Sequence, residues 1–128
     1  MVVGILASVF GGSAALLHVY IFVMESVQWT RPTVYRRFGV PDRETAETIR
    51  PMAYNQGFYN LFLAIGAAIG IVLFWAGPEV AGRALAIFCL GAMAAAALVL
   101  LSTGMRHLRA AATQGVLPLI GLALFLFA

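Results

Sequence analysis

Two long apolar stretches of the chain carry side chains that a lipid bilayer disfavours. His18 and Glu25 lie in the first stretch. The second stretch opens on a polar run that contains Asn55, Gln56, Tyr59 and Asn60. Such side chains are costly to bury in hydrocarbon, so they normally face a protein interior or a wet cavity. A histidine and a glutamate could share general acid–base chemistry, whereas amides and phenols bind through hydrogen bonds. These residue types indicate a binding site, although no motif names a reaction or a cofactor.

The composition indicates a membrane protein. The chain has 128 residues, of which 62% are hydrophobic and 10% are charged, whereas a soluble domain carries about 25% charged residues. This length allows a single domain over residues 1–128. All eight basic residues are arginines, and they are spread over the loops between the apolar stretches. The net charge of +3 is therefore not a nucleic-acid patch, and we expect the lipid bilayer to be the partner.

Four apolar stretches predict an all-α polytopic membrane protein, a bundle of four transmembrane helices. A helix needs about 20 residues to cross the hydrocarbon core. The predicted spans are residues 2–28, 52–76, 80–103 and 110–128, with one long loop at 30–50. No basic residue precedes Arg31, so the first stretch is interpreted as a retained helix and not as a cleaved signal peptide.

The long loop and its borders contain further local signals. Residues 42–48 predict a short polar helix that leads into the second span, with Pro51 in the first turn of that span. Trp29 and Trp75 lie at span ends, as residues of an interfacial aromatic belt do. The segment 35–38, with sequence YRRF, is interpreted as an interfacial anchor for anionic lipid head groups. Gly57 would let another backbone approach.

The arginines predict the orientation. Five lie in loop 30–50 and two in the connection 104–109, while the connection between the second and third spans has only Arg83. Basic loops stay in the cytoplasm. We therefore expect a multi-pass protein of a bacterial plasma (inner) membrane, with both termini outside.

This orientation places the polar groups at one depth. Glu25 and Asn55 would lie about one turn inside the membrane, and His18 about 10 Å deeper. Gln114 on the fourth span lies at the same end. The outer half is rich in small residues that allow close helix packing. We therefore predict a pocket open to the cytoplasm, between the first and second helices, whose ligand-binding residues are His18, Glu25, Asn55, Gln56, Tyr59, Asn60 and Gln114.

Four short patterns together resemble a known family. They are His18-x-Tyr20-Ile21, Glu25-x-x-x-Trp29-Thr30-x-Pro32, Asn55-Gln56-Gly57-x-Tyr59-Asn60 and Gln114-Gly115. In these patterns the chain resembles the small bacterial membrane proteins grouped as domain of unknown function 1304, over nearly its whole length. The resemblance implies four transmembrane helices and no established activity.

Three functional classes stay open. The first is a binding protein for a small lipophilic molecule (an isoprenoid, quinone or acyl lipid), with or without acid–base catalysis by His18 and Glu25. The second is a non-catalytic accessory subunit of a larger membrane complex or a homo-oligomer, in which the polar residues join helices. The third is a small proton-coupled exporter. A metal site at His18, Glu25 and His107 is disfavoured because no two of them have the i, i+4 spacing of a helical metal motif.

Overall fold

The computed structural model describes residues 1–128 and is helical throughout, with no strand. Five α-helices are joined by short helical turns. Their bounds are α1 Val2–Phe22, α2 Pro32–Tyr35, α3 Arg43–Ala76, α4 Glu79–Ser102 and α5 Leu108–Phe127, with a π-helical turn at Val23–Val27 and 3-10 turns at Arg36–Phe38 and Met105–His107.

The predicted fold class is confirmed. Four helical segments are long and apolar enough to cross a membrane: Val2–Val27, Arg43–Ala76, Glu79–Ser102 and Met105–Phe127. Three of the predicted spans agree with these bounds to within a few residues. The exception is the second, whose helix begins at Arg43 and not near residue 52.

The helix α3 starts early because its polar first turns are stabilised locally. The backbone N–H of Thr45 donates a 2.8 Å hydrogen bond to Asp42 Oδ1, an N-cap that also holds the pKa of this carboxyl below its usual value. Arg43 pairs with Glu47 one turn later at 2.9 Å. The prediction that Pro51 lies in the first turn of this helix is wrong. It lies well inside α3, where it removes one backbone hydrogen bond without ending the helix.

The chain packs as two compact units, which are described separately. The bundle unit comprises Met1–Leu17 and Leu63–Ala128, and the hairpin unit comprises His18–Phe62. The prediction of a single domain concerns folding and stays a prediction.

The bundle unit has a core contributed by all four long helices. Its buried residues are mostly small, with Ala7, Ala67, Ala86 and Leu90 fully buried around Phe125. At the closest approach of α3 and α4, a Cβ added to Gly82 would meet the backbone N of Phe74 and lie 2.7 Å from the carbonyl oxygen of Gly70. Glycine at these positions lets the two backbones touch, which is how membrane helices gain packing energy.

The orientation gives the first testable prediction. Thr33 and Pro78 are both exposed, while the native Cys89 is buried and should not react. We expect a membrane-impermeant thiol reagent to label Pro78→Cys in intact cells and to leave Thr33→Cys unlabelled, because the arginine-rich loop stays in the cytoplasm. Permeabilised cells provide the control, since both variants should then react. Labelling of Thr33→Cys from outside would reverse the predicted orientation.

Candidate functional site

The predicted glutamate lies in an irregular turn of the first membrane-spanning segment. Glu25 is part of the π-helical turn Val23–Val27 that follows α1. The wider turn closes with a 2.9 Å hydrogen bond from the backbone N–H of Gln28 to the carbonyl of Val23. A π turn inserts one residue relative to an α-helix and is frequent at functional sites. The α-helical spacing of the first span therefore ends at Phe22.

Glu25 and Asn60 form the centre of the site. Asn60 Nδ2 donates a 3.0 Å hydrogen bond to Glu25 Oε2 and a 3.2 Å hydrogen bond to the backbone carbonyl of Gln56. The Glu25 side chain is only 8% exposed. No protein group donates a hydrogen bond to its second oxygen, Oε1. Every fully buried side-chain nitrogen or oxygen of the chain has a hydrogen-bond partner, so an oxygen without one is not fully buried. Oε1 is therefore accessible and can accept a hydrogen bond from outside the protein.

A glycine brings the two helices of the hairpin unit close enough for this contact. A Cβ added to Gly57 would clash with Ser26 Oγ and would lie 3.1 Å from Glu25 Cβ. The Ser26 hydroxyl donates a 2.8 Å hydrogen bond to the carbonyl of Tyr54, so the π turn is joined to α3 beside the glutamate. The sequence predicted a close approach at Gly57, but the atoms that approach it belong to the side chains of Ser26 and Glu25 and not to a backbone.

Aromatic rings line the same helix crossing. Phe22 packs edge-on against Phe58 with ring centroids 5.0 Å apart. Phe58 also contacts Tyr54 at 4.9 Å and Phe62 at 6.1 Å, one helical turn to either side. The sequence interpretation missed this ladder, although the i, i+4 spacing of the three residues on α3 is its signal. The exposed rings of Tyr54 and Phe62 offer an apolar surface beside the Glu25–Asn60 pair.

The other predicted site residues differ in how exposed they are. His18 is buried, at 3% exposed. Asn55, Gln56 and Tyr59 are exposed on α3. Any binding surface that they form is therefore open and not an enclosed pocket. Gln114 is half-buried on α5, in the bundle unit. Ligand binding by the whole predicted set stays a prediction.

The first tryptophan is not a belt residue. Trp29 is 5% exposed and donates a 2.8 Å hydrogen bond from Nε1 to the carbonyl of Ala46. Its ring also contacts Phe38, with centroids 5.4 Å apart. It is thus a core residue that ties the loop to the start of α3, because a buried indole N–H needs an acceptor. Trp75 is exposed, as a belt residue would be, and donates to Ser8 Oγ at 2.9 Å.

A cavity lies between α4 and α5. It is an apolar cleft of about 180 Å³, lined by Ala97, Leu101, Ala111, Gly115, Leu119 and their neighbours. Its lining is apolar, so it can hold an apolar chain, but it has no side chain that could act as an acid, base or nucleophile. No three His, Cys, Asp or Glu side chains lie together in a way that could hold a metal ion.

Comparison with known proteins gives one positive result. A family described as "Protein of unknown function (DUF1304)" matches residues 12–126. No curated protein and no solved structure matches the chain.

Proposed function

Since the chain belongs to the family Protein of unknown function (DUF1304), whose description assigns no activity, we propose a function from its own geometry: it binds a small lipophilic molecule within the membrane. The polar head of that molecule hydrogen-bonds to Glu25 and Asn60. Its apolar part lies along the aromatic ladder of Tyr54, Phe58 and Phe62. Isoprenoids, quinones and acyl lipids have this combination of a small head and a long apolar tail.

The observation that carries the proposal is the incomplete hydrogen bonding of Glu25. A carboxyl group inside a segment that can cross a membrane is costly and normally marks a functional site. Asn60 satisfies one of its oxygens at 3.0 Å, and the accessible Oε1 has no protein donor. If Glu25 served only to join the two helices, both of its oxygens would be hydrogen-bonded within the protein. A ligand hydroxyl or amine that donates to Oε1 would complete the set, and a quinone carbonyl would do so by accepting from Glu25 in its protonated form.

The alternative is an accessory subunit, and one observation favours it. Asn55, Gln56 and Tyr59 expose their side chains on a helix that can cross a membrane. Polar side chains at such positions join helices of neighbouring proteins through hydrogen bonds. In that case the partner would be a polypeptide, either a second copy of the chain or a subunit of a larger complex. For either function, the proposed location is a bacterial inner membrane with both termini outside.

Native mass spectrometry of the purified full-length protein, followed by lipid extraction, tests the proposal. We expect one lipophilic molecule to co-purify in stoichiometric amount. Asn60→Leu should lower its occupancy about tenfold, because the variant removes the donor that orients Glu25. The control is Thr113→Val, whose exposed hydroxyl bonds only to the carbonyl of Arg109 on its own helix. A co-purifying polypeptide with no small molecule would instead support the accessory subunit. Equal ligand occupancy in Asn60→Leu and Thr113→Val would show that Asn60 does not contact the ligand.

A further inference from the structure

A second set of polar contacts in the hairpin unit joins the loop to the end of the first membrane-spanning segment. Arg37 Nη1 donates a 3.2 Å hydrogen bond to the hydroxyl of Tyr20 and lies 3.9 Å from the sulfur of Met24. Tyr20 and Met24 both belong to the first membrane-spanning segment. Tyr20 and Arg37 are exposed. The loop therefore carries a guanidinium group back against the helix.

The folded loop fixes this position. Val34 and Tyr35 are buried, and Phe38 packs on Trp29. The turn that contains Arg37 ends at Gly39, whose φ of 80° lies in the left-handed region, where glycine has no steric cost. The segment that carries Arg37 is therefore held by the packing of Tyr35 and Phe38.

The charge of Arg37 is not neutralised by the protein. A guanidinium has five N–H donors, and the two acceptors that contact Arg37 are a neutral hydroxyl and a neutral thioether. The only salt bridge of the chain joins Arg43 to Glu47. Arg31 and Arg36, which flank this segment, also have no carboxylate partner.

We propose that Arg37 and Tyr20 form a binding site for the phosphate group of an anionic membrane lipid. A guanidinium binds phosphate through two parallel hydrogen bonds, and the Tyr20 hydroxyl, which accepts from Arg37, can donate its own proton to a phosphate oxygen. Both groups lie against a helix that crosses the membrane, so the anion within reach is a lipid head group and the acyl chains lie along α1. Fixed arginines near an anionic membrane surface attract such lipids. This site is separate from the Glu25–Asn60 pair and does not depend on the proposed function.

Lipid competition tests this site. The full-length protein is purified in micelles that contain equal amounts of phosphatidylglycerol and phosphatidylcholine, and native mass spectrometry counts the lipids retained. We expect the wild type to retain phosphatidylglycerol preferentially. Arg37→Gln should reduce that preference about fivefold, which is the factor that corresponds to about 1 kcal/mol per basic residue. Tyr20→Phe should reduce it about twofold, because one hydrogen bond is lost while the charge remains.

Arg43→Gln is the matched control, since it removes the same charge from the same arginine-rich segment, residues 31–50, but from an arginine at the start of α3 that is already paired with Glu47. It should leave the preference unchanged. An equal loss in Arg43→Gln and Arg37→Gln would overturn the proposal, because the loop would then act as diffuse charge. Displacement of the retained lipid by inorganic phosphate would also overturn it, in favour of a soluble anion. If Arg37→Gln lowers the unfolding temperature, Tyr20→Phe decides the test, since this exposed side chain can lose its hydroxyl without a change in packing.

Discussion

Gly82→Ala is expected to destabilise the protein by about 3 kcal/mol, at the upper end of the usual cost of overpacking. The new Cβ would meet the backbone N of Phe74 and lie 2.6 Å from the carbonyl carbon of Leu73. Backbone atoms cannot rotate away as a side chain can, so α3 and α4 would have to separate along their length. Chemical or thermal unfolding of the purified protein, followed by circular dichroism, measures the change.

Gly91→Ala on the same helix is the matched control. Its nearest neighbours are the two methyl groups of Leu122, both 4.0 Å from the added Cβ, which is ordinary van der Waals contact. Alanine is also a better helix former than glycine by about 1 kcal/mol, so this variant should be neutral or more stable. Equal stability of the two variants would show that α3 and α4 do not approach at Gly82 as described.

Glu25→Gln is expected to lower ligand occupancy about tenfold or more while the protein stays folded. The glutamine amide oxygen can still accept the hydrogen bond from Asn60 Nδ2, so the helix contact is kept. The variant loses the negative charge and the titrating proton, and a hydrogen bond to a charged group contributes about 1.5–3 kcal/mol. Bound ligand and unfolding temperature are measured together over a range of pH. Glu79→Gln, an exposed glutamate at the start of α4, is the control.

A purely structural role for the pair gives the opposite pattern. In that case Glu25→Gln and His18→Asn keep their hydrogen-bonding capacity and leave both stability and ligand occupancy at wild-type levels, at every pH. The apolar variants His18→Leu and Asn60→Leu would then destabilise the protein without any separate effect on a ligand. Wild-type ligand binding by Glu25→Gln across the pH range would therefore end the acid–base hypothesis.

The spans were predictable because apolar length determines them. The third predicted span, 80–103, differs from Glu79–Ser102 by one residue at each end, since the turn at Gly77 and Pro78 marks its start. The second helix was predicted to begin too late because its first turns, from Arg43, are polar. The N-cap at Asp42 and the Arg43–Glu47 pair stabilise those turns, and neither contributes to apolar length. The sequence analysis did predict helix in this region, but as a separate short helix over residues 42–48 and not as the start of the second span.

The candidate residues could be named from the sequence, but the contact between Glu25 and Asn60 could not. The cost of burying polar side chains in hydrocarbon identified Glu25 and Asn60, and these two are in contact. Glu25 lies in the π turn at Val23–Val27, which hydrophobic periodicity does not detect because the residues before Glu25 are nearly all apolar and show no helical phase. The role of Trp29 was missed for a related reason. A tryptophan at the end of a span has the same sequence context whether its ring faces lipid or is buried among loop residues.

The division into two units has a consequence for how the protein is made. The hairpin unit, His18–Phe62, is one continuous segment, whereas the bundle unit combines Met1–Leu17 with Leu63–Ala128. Protein chains emerge from the ribosome N-terminal end first, at about 5–20 residues per second. The segment that carries Glu25 and Asn60 can therefore pair its two helices early in synthesis, while the core around Phe125 has to wait for the last helix. During that interval the N-terminal half of α1 lacks its later partners, and truncation within α5 should leave the glutamate–asparagine contact formed in a chain whose bundle never closes.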